Sequence, residues 1–152
     1  MDNVEGKKYF DDFKVGDKMA PTRARTVTET DIVNFASLTG DWYPLHTDVE
    51  FAKKSMFGER IAHGMLVLSI ASALAPPYDL AFLAFYGIDR VRFIAPVKIG
   101  DTIHVEAEVI DKKEREGNTG TITLRAYVKN QRDENVTVWD AKVLLAKREK
   151  AA

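Results

Sequence analysis

The sequence predicts an α+β fold in which a curved antiparallel sheet wraps around a central apolar helix, and three observations carry that expectation. Residues up to about Phe85 show helical patterning broken by short loops. From about Ile88 the pattern changes to apolar–polar alternation with a period of two, the mark of half-buried strands. Between these regimes, Gly64 to Ala75 is apolar almost all round, so this helix is expected to be buried on most sides.

The elements follow in order. Thr28, Glu29, Thr30 and Asp31 open a first helix, with Thr28 and Asp31 placed for a capping box and Gly40 placed to end it in a left-handed conformation. Thr47 to Glu50 reads as a second start, with Thr47 as N-cap and a short helix through Phe51 and Ala52. The third helix begins at Gly64 and is stopped by Pro76 and Pro77. Strands are expected around Val91 and Phe93, then over Ile103–Val109, Ile122–Val128 and Val138–Leu145, and the stretch from Lys18 to Val27 offers a further one. The separators Glu116-Gly117-Asn118 and Asp133-Glu134-Asn135 suit hairpin turns, which makes an antiparallel meander.

At 152 residues with 45% hydrophobic content, the chain is expected to form a single domain over 1–152 with a real core, with no need of a disulfide or structural metal. It has no cysteine, which excludes cysteine nucleophiles, iron–sulfur clusters and thiolate zinc sites. Lys plus Arg number 22 against 23 for Asp plus Glu, a balance that argues against a nucleic-acid partner. The first residues carry no apolar leader, and the apolar stretch at 64–75 falls short of the ~20 residues of a membrane span. A cytoplasmic protein with no membrane partner is the expectation.

Asp41 and His46 stand five apart, which is not a helical-face spacing, so they meet only if the chain between them folds back. Pro44 disfavours a helical Tyr43 and makes Trp42–Leu45 a short, stiff turn. A carboxylate and an imidazole aimed at one point can hold and deprotonate a water near neutral pH. The alternatives are a loop aspartate bonded to backbone and a half-buried histidine at a helix entry. His46, His63 and His104 show no zinc-binding spacing, so no metal is expected. Neither a Gly-x-Ser-x-Gly nucleophile elbow nor a phosphate-cradling glycine loop is present. The aromatic residues Trp42, Tyr43, Tyr78, Phe82, Phe85 and Tyr86 are expected in the core or at a dimer contact, with one or two lining a pocket.

Read together, Gly40-Asp41-Trp42-Tyr43-Pro44-Leu45-His46-Thr47-Asp48, Phe51-Ala52 and Ile61-Ala62-His63-Gly64-Met65 resemble the MaoC-like dehydratases, the group that includes R-specific enoyl-CoA hydratases. The resemblance continues through Val91-Arg92-Phe93, Pro96 and Gly100-Asp101. Tyr43 stands where such hydratases usually carry Asn. The resemblance implies a hot-dog fold and a hydro-lyase acting on an acyl-CoA thioester, with Asp41 and His46 as the catalytic pair. It implies that the Gly64 amide, at the N-terminus of the buried helix, serves as oxyanion hole, while close packing is that glycine's other reading. His63 is expected to support or brace the loop. Ser69 either orients Asp41, as a serine does in relatives, or bonds back to its own helix. The resemblance further implies no cofactor beyond the CoA of the substrate, and a homodimer or higher even assembly. A hot-dog thioesterase and a non-catalytic acyl-CoA-binding module are the alternatives.

Overall fold

The computed structural model describes residues 5–75 and 77–149. A one-turn 3-10 helix, Phe10–Asp12, precedes β1 (Arg25–Thr26), α1 (Glu29–Thr39), α2 (Pro44–Thr47), α3 (Val49–Lys53) and α4 (Gly64–Leu74). Four long strands follow: β2 (Phe82–Phe93), β3 (Thr102–Arg115), β4 (Thr119–Lys129) and β5 (Asn135–Ala146). They form one antiparallel sheet in the order β1-β3-β4-β5-β2. Consecutive strands β3, β4 and β5 are the expected meander. Asn118 (φ 56°) and Asp133 (φ 62°) supply the left-handed positions of the two hairpin turns.

Helix α4 lies in the curl of this sheet. Its Leu66, Val67, Ile70, Ala71 and Leu74 pack in one core cluster with Ile103, Val105, Val128 and Trp139 from β3, β4 and β5. A smaller cluster under the first turn joins Phe10 and Phe13 to Val109, Ile122, Val143 and Leu145. There the Phe10 ring lies where a Cβ on Gly120 would stand, so β4 needs a residue without a side chain at that point.

The structure corrects several expectations. Helical patterning does not reach Phe85: β2 already begins at Phe82, and at the sheet edge none of its residues is fully buried, which blurs the period-two signal. Of Lys18–Val27 only Arg25–Thr26 is a strand, with an isolated bridge from Lys18 to Glu108. The N-cap of α3 is Asp48, not Thr47. The Thr47 hydroxyl donates back to the carbonyls of Trp42 and Tyr43, and the Asp48 carboxylate accepts the Phe51 N–H at 3.0 Å. Helix α4 is buried on most sides as expected, with Met65, Ser69, Ser72 and Ala73 exposed along its remaining stripe. Among the aromatics, Trp42, Tyr43, Tyr78, Phe85 and Tyr86 are exposed rather than core, and Phe82 is half-buried. Pro76 and the first four residues lie outside the described residues, and with them part of the helix-stop and leader expectations. No helix among the described residues is long and apolar enough to cross a membrane.

Candidate active site

Helix α1 ends where the site begins. Its N-terminus is the expected capping box: the Thr28 hydroxyl receives the Asp31 N–H, and the Asp31 carboxylate receives the Thr28 N–H. Its C-cap is Gly40 at φ 79°, a left-handed conformation that a glycine adopts without strain. The turn that follows delivers Asp41, whose Oδ1 accepts the Tyr43 N–H at 3.3 Å. Tyr43 is extended (ψ 132°) ahead of Pro44, and Pro44 opens the single turn of α2 that carries His46. The chain thus folds back between Asp41 and His46 as their spacing requires.

His46 is half-buried, and its Nδ1 lies 2.7 Å from the Ile61 carbonyl. A carbonyl only accepts, so Nδ1 carries the proton and Nε2 holds the lone pair of the neutral ring. Burial holds the His46 pKa below its ordinary value, helped by the neighbouring His63 and opposed by the Ile61 carbonyl and Asp41. His63 is 2% exposed, and its Nε2 donates to the Asp41 carbonyl at 3.0 Å. Its Nδ1 is buried without a hydrogen-bond partner among the described residues. The two imidazoles stack, and Phe35 of α1 packs against His63 with its ring tilted 55°.

One ligating atom each from Asp41, His46 and His63 falls within 4.8 Å of the others. One water can span such a separation, since two hydrogen bonds of about 2.8 Å reach further. The same trio has the donor types of a metal site, which sequence spacing alone did not suggest. In a second such group, His104, Glu106 and Asp133, the two carboxylates each lie 3.1 Å from the Lys129 ammonium, and His104 Nε2 lies 3.3 Å from Glu106.

Gly64 is the first residue of α4, and its helix N-terminus has no side-chain cap. The leading N–H groups therefore lack intrahelical acceptors and carry the positive end of the helix dipole. A cavity of about 310 Å³ opens beside them. His46 and Gly64 both line it, with Val67, Phe93, Val97 and Thr137 among its walls, while the exposed Asp41 stands outside that lining. Ser69 is not part of this arrangement. Its hydroxyl donates to the Met65 carbonyl at 2.7 Å on the exposed face of α4, the back-bond open to any helix serine. Phe93 and Thr137 were missed from the sequence because each is a single strand residue. The inward phase of the alternation was the one signal available for them.

The MaoC like domain family matches residues 12–130 of the chain. The chain belongs to this family of MaoC-like dehydratases, and its fold is the hot-dog fold. Protein MaoC of Klebsiella aerogenes is 46% identical over 100 residues, which is 65% of this chain and 30% of that protein. An (R)-specific enoyl-CoA hydratase of Rhodospirillum rubrum is 39% identical over 95 residues, 62% of this chain and 65% of that one. The chain thus covers less than two thirds of either relative. Among solved structures, one described as a monoamine oxidase regulatory protein from Archaeoglobus fulgius is 46% identical with a TM-score of 0.88, covering 94% of this chain and 97% of that one. A double hot-dog protein of Mycobacterium tuberculosis, 20% identical with a TM-score of 0.83 over 99% of this chain and 47% of that one, shares the fold.

Proposed function

We propose that the protein is a hydro-lyase that adds or removes water across the α–β bond of an acyl-CoA thioester, as an (R)-specific enoyl-CoA hydratase or 3-hydroxyacyl-CoA dehydratase. The observation that carries this reading is that Asp41 and His46 bring their ligating atoms within 4.8 Å of each other and of His63, while His46 shares one cavity with the uncapped N-terminus of α4 at Gly64. In hydration, Asp41 and His46 hold a water next to the β-carbon. His46 Nε2 takes one water proton as the oxygen bonds to that carbon, and the imidazolium then returns a proton to the α-carbon. Asp41, as a carboxylate, only accepts and so orients the water. Between the two steps, negative charge on the thioester oxygen is met by the Gly64 N–H. The proton taken equals the proton returned, so no cofactor enters.

The assembly we propose is a homodimer or higher even oligomer. The support is β2, a 12-residue edge strand that exposes Leu83, Phe85, Tyr86, Ile88 and Phe93, a surface that an unpaired edge rarely leaves uncovered. One assay tests the reaction. With a short enoyl-CoA, a hydratase removes the conjugated absorbance and releases no thiol. Thiol release ahead of that loss would instead mark a thioesterase, and silence in both, with ligand-dependent thermal stabilisation, a binding module.

A further inference from the structure

The cavity beside Gly64 holds a polar group that the proposed reaction does not use. Thr137 lies near the start of β5 on the inward phase it shares with the core residues Trp139 and Ala141. It is 2% exposed and lines the cavity. Its hydroxyl makes no hydrogen bond among the described residues. Val67 of α4, Val97 and Phe93, the register partner of Thr137 on β2, line the same cavity with hydrocarbon, and His46 lines it too.

A β-branched residue suits this strand position, and valine would supply the same shape without a polar atom. The threonine adds one hydroxyl, whose burial without a partner is unfavourable. A thioester with its carbonyl on the Gly64 N–H and its β-carbon at the Asp41–His46 water leaves the rest of the acyl tail to fill the cavity. A bare alkyl tail would cover the Thr137 hydroxyl and leave it unpaired. A tail with its own oxygen pairs with it. A site that hydrogen-bonds its ligand discriminates against the analogue lacking that group far more than a hydrocarbon wall discriminates by size.

Resting on the acyl-CoA reading above, we infer that Thr137 is a specificity residue that selects acyl groups carrying an oxygen beyond the β-carbon over plain alkyl groups of the same length. The test uses two saturated thioesters that cannot be hydrated, butanoyl-CoA and 4-hydroxybutanoyl-CoA, with dissociation constants measured by calorimetry on the full chain. The wild type is expected to bind the hydroxylated thioester about tenfold more tightly. Thr137→Val should bring that ratio near one, and Thr137→Ser, which keeps the hydroxyl, should restore it. Thermal unfolding of both variants confirms that they are folded, and the serine variant reads the ratio if the valine variant is not. Equal binding of the two thioesters by the wild type, or a ratio unchanged in Thr137→Val, overturns the inference and leaves the hydro-lyase reading standing. Binding of neither thioester overturns both.

Discussion

The imidazole rings of His46 and His63 stack with their centroids 3.9 Å apart and 29° between their planes. Each ring gives one N–H to a main-chain carbonyl, His46 to Ile61 and His63 to Asp41. His63 therefore touches both halves of the proposed catalytic pair, one through its ring face and one through the backbone. It also immediately precedes Gly64, so a single buried side chain fixes Asp41 and His46 relative to the N-terminus of α4.

This stack has a consequence for pH. Burial chiefly, and His63 secondarily, disfavour the His46 imidazolium and lower its pKa from the ordinary value near 6.5. The acid limb of kcat/KM for hydration, which reports loss of the free base, should then fall below pH 6.5. The stability effect has the same origin. A base whose folded pKa is depressed binds more protons when unfolded, so its contribution is fully present above about 6.5 and is lost progressively as pH falls from there through the lower folded value. Initial rates and thermal midpoints measured between pH 5 and 8 check both, and an acid limb centred above 6.5 would contradict the assignment of His46 as base.

Asp41→Asn and His46→Ala should each lower kcat by about 10² to 10⁴, the usual worth of a positioned acid or base. Neither side chain sits in the core, as Asp41 is exposed and His46 half-buried, so thermal unfolding should change little. The readout is therefore a split: turnover collapses while the melting temperature holds. Near-native turnover in both variants would remove the pair from the mechanism.

Much of this site was legible in the sequence because it is built from local signals. Gly40 ends a helix, Pro44 forces a turn, and the five-residue gap between Asp41 and His46 then closes within one stretch of chain. The meander was equally legible, since its alternation and turn residues are local. What the sequence hid is what depends on distant packing. The aromatic residues of β2 were expected in the core or at a dimer contact, and at the sheet edge, paired with β5 alone, Phe85 and Tyr86 stay exposed. The stacking of His63 on His46 joins residues 17 apart, and no periodicity predicts that contact. Phe93 and Thr137 reach the cavity only because β2 and β5 pair in one register.

Ser69→Ala tests which of the two sequence readings of this serine holds. A serine in the central helix was open to a role beside Asp41, yet its hydroxyl bonds to Met65 within its own helix. Removing it should leave kcat/KM within about twofold of wild type, because a back-bonded helix serine contributes little beyond its own turn. A tenfold loss in hydration with an unchanged melting temperature would restore the orienting role.

Gly64→Ala separates close approach from helix formation. The substitution keeps the backbone N–H, and alanine is the better helix former, so α4 itself should be no less stable. An added Cβ, however, would stand 2.9 Å from Cε1 and Cζ of Phe93, nearer than real Cβ contacts allow. Phe93 is about half exposed at 51%, so its ring can yield, and it yields into the cavity that both residues line. The expected outcome is a fall of about 10- to 100-fold in kcat/KM, with a melting temperature at or above that of the wild type. Adding Phe93→Ala removes the obstruction and should recover part of that loss, so the two substitutions couple rather than add. If the double variant is instead as impaired as the product of the two single effects, the Phe93 contact is not the cause, and the demand for glycine lies in the approach of the substrate itself.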